Sequence, residues 1–202
     1  MLPPLSLSTA ALLLANLVPL AGATFWGWSV YELLLLFWAE NVVIGLFQIL
    51  RMGSVALLRR RLGQAGLIPF FALHYGLFAF AHGMLVTGSF APPDEGGLAQ
   101  AIALLLSPSG QLLALLALMA SHGFSFMVHF IGAGEWREAE LPVLMKQPYA
   151  RVVVLHLVIL GGGAAVMALG EPLVALLLLV VLKIVVDVAA HRREHAAMAP
   201  GR

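Results

Sequence analysis

The sequence predicts an all-α polytopic membrane protein, a bundle of six transmembrane helices with both termini in the cytoplasm. Hydrophobic residues occupy 61% of the 202 positions and charged residues only 10%, whereas a soluble domain carries roughly 25% charge. The mean hydropathy is +0.98. Because so little polar surface cannot cover a water-facing globule, the expected partner is the lipid bilayer, and no nucleic-acid partner is expected.

Six apolar stretches are long enough to cross a membrane, since a spanning helix needs about 20 residues. They form one predicted domain, 1–202, with spans at about 5–24, 29–50, 67–88, 111–131, 151–169 and 172–190. Trp26 and Trp28 suit the membrane interface between the first two spans, and Pro172 can start the sixth. Segment 98–106 is too short to span and is predicted to be an interfacial or re-entrant helix.

The basic residues predict the orientation. All loops that carry them fall on one side if the chain has six spans: Arg51, Arg59, Arg60, Arg61, Arg137, Lys146, Arg151, Arg192, Arg193 and Arg202. The opposite loops hold Asp94, Glu95 and Glu171 without Lys or Arg. By the positive-inside rule, both termini are therefore predicted to be cytoplasmic. The Ala-Gly-Ala at 21–23 resembles a signal-peptidase site, but the segment before it has no Lys or Arg, which favours a retained span.

Ionisable residues inside the predicted spans are the main functional signal. A charged group at that depth costs at least ~2.5 kcal/mol on insertion scales, so such groups seldom occur without partners or purpose. The polar residues within the spans are Glu40, Asn41, His74, His82, His122, His129, His156, Lys183 and Asp187. A single intramembrane histidine is best explained by a bond to a backbone carbonyl. Five histidines on three spans indicate a shared site.

Helical spacing restricts how these residues could meet. His122 and His129 share one helical face, and His74 and His82 lie about 80° apart around theirs. Each pair is separated by about 10–12 Å along its axis, so the ligands of one ion must converge from different helices. Depth then predicts two layers. The lower layer holds His74, His129, His156 and Asp187, and the upper layer holds Glu40, His82 and His122.

Four motifs together resemble a bacterial family of integral membrane proteins known only as a domain of unknown function. They are FWAENVVIGLFQILRM, FFALHYGLFAFAHG, SHGFSF and QPYARVVVLHLVILGG. The resemblance covers about residues 10 to 190 and implies a multi-pass protein of the bacterial cytoplasmic membrane. It also implies that six residues lie in the family's motifs: Glu40, Asn41, His74, His82, His122 and His156. It brings no established activity.

The leading hypothesis is an integral membrane metalloprotein with a buried His/carboxylate site for one or two divalent ions, zinc or iron. The chain has no cysteine, so imidazole and oxygen must supply the ligands. The proposed ligands are His74, His82, His122, His129, His156, Glu40 and Asp187. An open coordination position would permit hydrolysis, with Glu40 as catalytic base. With iron, it would permit oxidation of a lipid-like substrate.

Three other functions fit the same residues. Histidines on facing helices could ligate a b-type haem for electron transfer. Two polar layers could be stations of a proton-coupled or metal-ion transporter. A structural membrane protein could satisfy its histidines with each other and with backbone carbonyls. Asp187 could equally pair with Lys183 one turn away, and glycine-rich faces permit a homodimer.

Overall fold

The computed structural model describes residues 24–94, 96–108 and 110–169, together with Gly22 and Val181. All regular structure in this part of the chain is helical, and it contains no strand. The helices are α1 (Val30–Leu58), α2 (Leu67–Ser89), α3 (Leu98–Leu106), α4 (Gly110–Ser125), α5 (Leu141–Lys146) and α6 (Tyr149–Leu169). The helix α4 continues into the π-helical segment Phe126–Gly132.

Four helical stretches of the described residues are long and apolar enough to cross a membrane. They are Val30–Leu58, Leu62–Ser89, Gln111–Gly132 and Leu141–Gly161. The prediction of an all-helical membrane protein is therefore confirmed. The predicted spans 5–24 and 172–190 fall almost wholly outside the described residues, as do both termini.

The last of these stretches begins at Leu141, well before the predicted start at 151. Helix α5 leads into α6 through Pro148, whose carbonyl accepts from the backbone N–H of Arg151 at 3.0 Å. Proline suits a helix start because the first N–H groups of a helix have no intrahelical partner. Arg151 consequently lies in the middle of this stretch, while helix α6 itself, Tyr149–Leu169, begins two residues before the predicted 151.

Helix α1 is the centre of the bundle. Of its most apolar 18 residues, 67% are buried, compared with 6% for the stretch that contains α4. Its start is set by a capping box in which Ser29 and Glu32 satisfy each other's backbone N–H groups. The second carboxylate oxygen of Glu32 accepts from Nε2 of Gln111 at 2.6 Å, which joins the starts of α1 and α4.

Helices α1 and α2 are joined by two aromatic rings, each lying on a glycine of the other helix. Trp38 lies on Gly83, and its Nε1 donates to the carbonyl four residues before that glycine at 2.7 Å. Tyr75 lies on Gly45, and its hydroxyl donates to the carbonyl four residues before that glycine at 2.9 Å. We call these six residues the aromatic clasp: Trp38, Asn41, Gly45, Tyr75, Ala79 and Gly83.

An arginine joins the end of α1 to the residues just before α5. Arg59, which caps the end of α1, forms an ion pair with Glu140 at 3.1 Å and also donates to the carbonyl of Ala139. Because Glu140 directly precedes α5, this contact brings the end of α1 to the beginning of the last of the four stretches, Leu141–Gly161.

Replacing a clasp glycine by alanine should destabilise the protein. A Cβ at Gly45 would lie 2.5 Å from the Tyr75 ring, and one at Gly83 would lie 2.9 Å from the Trp38 ring. Neither ring can withdraw without breaking its hydrogen bond, so we expect each variant to lose about 1–3 kcal/mol of unfolding free energy. Unfolding of the detergent-solubilised protein measures this loss.

Gly76→Ala is the matched control, because a Cβ at Gly76 meets nothing within 4 Å. Alanine also favours a helix over glycine, so this variant should be at least as stable as the wild type. Equal stability of Gly45→Ala, Gly83→Ala and Gly76→Ala would contradict the clasp.

Candidate functional site

The aromatic clasp sets the rotation of α2 and thereby the direction of two histidines. Tyr75 and Gly83 both face α1. Consecutive residues of a helix differ by about 100° around its axis. His74, which precedes Tyr75, therefore turns away from α1, whereas His82, seven residues after Tyr75, lies at the edge of the face toward α1. Both histidines meet α6.

His82 and His156 form a direct pair between α2 and α6, which we call the imidazole pair. Nε2 of His82 lies 3.0 Å from Nδ1 of His156, and the two rings are nearly perpendicular at 83°. His82 is only 6% exposed. The other ring nitrogen of His82, Nδ1, lies 2.7 Å from the carbonyl oxygen of Phe78.

That carbonyl determines the protonation of the His82 ring. A carbonyl oxygen can only accept, so Nδ1 of His82 carries the proton and donates it to Phe78. The lone pair of Nε2 consequently faces His156, whose Nδ1–H completes the hydrogen bond. The lone pair of His82 Nε2 is thus oriented toward His156, which holds it in a hydrogen bond.

A second polar contact joins α2 and α6, nearer to the N-terminal ends of both helices. Nδ1 of His74 lies 2.6 Å from the Tyr149 hydroxyl, and the His74 ring stacks on Phe70. His74 is eight residues before His82, which corresponds to about 12 Å along the helix. His74 is therefore too far from the imidazole pair to share an ion with it.

Charged residues meet on the other flank of α6, between α4 and α6. Nη1 of Arg151 lies 4.0 Å from the Glu40 carboxylate, and the side chains are 32% and 15% exposed. His122 stacks on Phe47 of α1. Arg51 follows Glu40 by eleven residues on the same face of α1, and its guanidinium lies 5.5 Å from the centre of the Phe130 ring. We call Glu40, Arg51, His122 and Arg151 the charged groove.

The structure brings some of the predicted ligands together and separates others. His82 meets His156, whereas the sequence placed them in different layers. His129 lies in the π-helical segment against the edge of the Phe124 ring. Asp187 lies outside the described residues. Across 24–94, 96–108 and 110–169 there is no group of three or more His, Asp or Glu side chains that could hold a metal ion.

The sequence predicts Arg151 in a cytoplasmic loop, and Tyr149 was not among the predicted site residues. Glu40 could have indicated that Arg151 belongs to the site, because a carboxylate at membrane depth needs a counter-charge on another helix. The π-helical segment, where Ala133 N–H bonds to the Val128 carbonyl five residues back at 2.9 Å, was not predicted either. Such segments frequently occur at functional sites.

The fold and these contacts define an all-helical protein with membrane-spanning apolar helices and polar residues paired between them. The chain belongs to the Family of unknown function (DUF6498), whose model matches residues 3–201. The predicted resemblance to a family of unknown function is thus confirmed. No curated protein and no solved structure matches the chain.

Spectroscopy can test which ring nitrogen of His82 carries the proton. We expect ¹⁵N magnetic resonance of histidine-labelled protein to show a protonated Nδ1 and an unprotonated Nε2 for His82, because the Phe78 carbonyl accepts from Nδ1. His82→Asn identifies the signals, and His129→Asn serves as the control that should leave them unchanged. A His82 ring protonated at Nε2 would contradict the arrangement.

Proposed function

We propose that this protein is a six-span protein of the bacterial cytoplasmic membrane that binds a divalent transition metal, zinc or iron, at the imidazole pair. Six spans with both termini cytoplasmic follow from the one-sided distribution of Lys and Arg. The single observation that carries the metal proposal is the 3.0 Å separation between Nε2 of His82 and Nδ1 of His156.

This separation suits a shared ion. Two imidazole ligands at about 2.1 Å from a tetrahedral zinc ion are roughly 3.4 Å apart, close to the observed separation. To bind the ion, His156 would carry its proton on Nε2 instead of Nδ1, and the two rings would turn their lone pairs toward the ion. Metal-ligating histidines generally donate their other ring N–H to a carbonyl or carboxylate, which orients the lone pair. Phe78 offers His82 such a carbonyl.

Two imidazoles leave positions for water, for a substrate or for further protein ligands. Asp187 remains a proposed ligand outside the described residues. Glu40 has Arg151 as its described ion-pair partner, so a role for Glu40 as a base would require it to leave that arginine. A divalent ion bound here would polarise a water or a substrate carbonyl, which is the chemistry needed for hydrolysis of a membrane-soluble substrate.

The geometry favours a bare ion over the haem alternative. Axial imidazoles on opposite sides of a haem iron are separated by roughly 4 Å, twice the usual metal–nitrogen distance of about 2 Å, with the porphyrin between them. The nitrogens of His82 and His156 are in direct contact, and their rings are nearly perpendicular. A porphyrin would have to separate the two helices.

A transport function is the second candidate. The observation that favours it is that two polar contacts lie one after the other between α2 and α6. His74–Tyr149 and His82–His156 follow each other along α2 and α6. Chains of such groups mark ion and proton pathways in membranes. Uptake of zinc into proteoliposomes would favour transport over a resident metal site.

Metal content tests the proposal directly. Protein purified in detergent without chelators should retain close to one equivalent of zinc or iron by mass spectrometry of the elements. His82→Ala and His156→Ala should each weaken metal affinity by at least about 100-fold, because loss of a ligand exceeds the effect of losing its supporting hydrogen bond.

His129→Ala is the matched control, since His129 is exposed and lies away from the imidazole pair. It should leave metal content and affinity unchanged. Less than a tenth of an equivalent of any transition metal in the wild type, or equal metal affinity in all three variants, would rule out the imidazole pair as the site.

A further inference from the structure

The charged groove lies along one face of α1. Phe47 and Arg51 follow Glu40 by seven and eleven residues, which places all three within about 40° of each other around the helix. His122 of α4 stacks on Phe47, and Arg151 of α6 meets Glu40. This face of α1 therefore contacts both α4 and α6.

Arg151 is only loosely engaged by Glu40. Their separation of 4.0 Å is well beyond the 2.7–2.9 Å of a charge-assisted hydrogen bond. A guanidinium carries five N–H donors in a fixed planar fork. Because Arg151 is in the middle of a stretch of spanning length, hydrocarbon offers these donors no acceptor. The 32% exposure of its side chain leaves the fork accessible from the groove.

The charge of Arg151 also favours an anion. A guanidinium stays protonated in proteins, and charges interact strongly in a low-dielectric interior, so donors that Glu40 leaves unfilled favour a bound anion.

We infer that the charged groove binds the acidic head of a membrane amphiphile, a fatty carboxylate or a lipid phosphate, with Arg151 as the principal ligand. The guanidinium fork takes two oxygens of the head side by side, which Glu40 at 4.0 Å does not provide. The apolar helices around the groove suit the hydrocarbon tail. This site uses residues other than the imidazole pair and does not depend on the metal.

Titration of the full-length protein in a nonionic detergent tests the inference. The probes are oleate, oleoyl lysophosphatidate and the neutral monoolein, with binding measured by native mass spectrometry. At least one of the acidic amphiphiles should bind and monoolein should not, and the stronger of the two acids identifies the head group.

Two variants should change affinity in opposite directions. Arg151→Gln should weaken binding of the acidic amphiphile roughly tenfold or more, because charge-assisted hydrogen bonds are lost. Glu40→Gln should strengthen binding, since it removes a carboxylate that competes for the same guanidinium. Arg151→Lys keeps the charge without the fork and should lie between wild type and Arg151→Gln.

Arg137→Gln is the control, as Arg137 is an exposed arginine of the turn Glu135–Arg137. It should bind like the wild type. If Arg151 only stabilised the fold through Glu40, Arg151→Gln and Glu40→Gln would weaken binding alike, and the inference would be overturned. Equal binding of oleate, lysophosphatidate and monoolein would also overturn it. Metal content, measured in the same samples, reports separately on the imidazole pair.

Discussion

The orientation of α2 against α1 is the constraint on which the rest of the structure depends. Two aromatic rings occupy the space that only glycine leaves free, and each ring is fixed by a hydrogen bond to the opposite backbone. With Tyr75 and Gly83 facing α1, His74 turns away from α1 toward Tyr149, and His82 lies at the edge of the α1 face, where it meets His156. The repeated spacing of eight residues in HYGLFAFAHG thus serves packing and chemistry together.

Polar groups at membrane depth are satisfied largely in pairs across helices. His82 meets His156, His74 meets Tyr149, and Glu40 meets Arg151. Each pair relieves the free-energy cost of an isolated polar group in hydrocarbon. This pairwise arrangement of the described residues differs from the two layers of ligands that the sequence predicts, and it separates two kinds of chemistry. We propose the imidazole pair as the site of a cation, which displaces the proton shared between the two rings, and the guanidinium of the charged groove as the site of an anion.

Helices and their apolar character could be predicted from the sequence because both depend on local composition. The predicted stretch 67–88 corresponds to α2, Leu67–Ser89, and segment 98–106 to α3, Leu98–Leu106. The predicted stretch 151–169 corresponds to α6, Tyr149–Leu169. The short helix α5 before it was not predicted, because Lys146, Pro148 and Arg151 together are typical of a loop.

The sequence predicted which residues belong to the candidate site but not which of them contact each other. His82 and His156 were both proposed as ligands, yet spacing along one helix cannot determine which residue of another helix lies opposite. The clasp glycines could not be distinguished from Gly76, since a small residue only permits close approach. Which glycine carries a ring depends on tertiary packing alone.

The central claim is that His82 and His156 share a cation. An anomalous difference map at the zinc absorption edge, from crystals of the wild-type protein grown with zinc, tests it most directly. We expect a peak between the rings, about 2.0–2.1 Å from Nε2 of His82 and Nδ1 of His156. Two rings still in direct hydrogen-bond contact, with zinc absent or bound elsewhere, would contradict the claim.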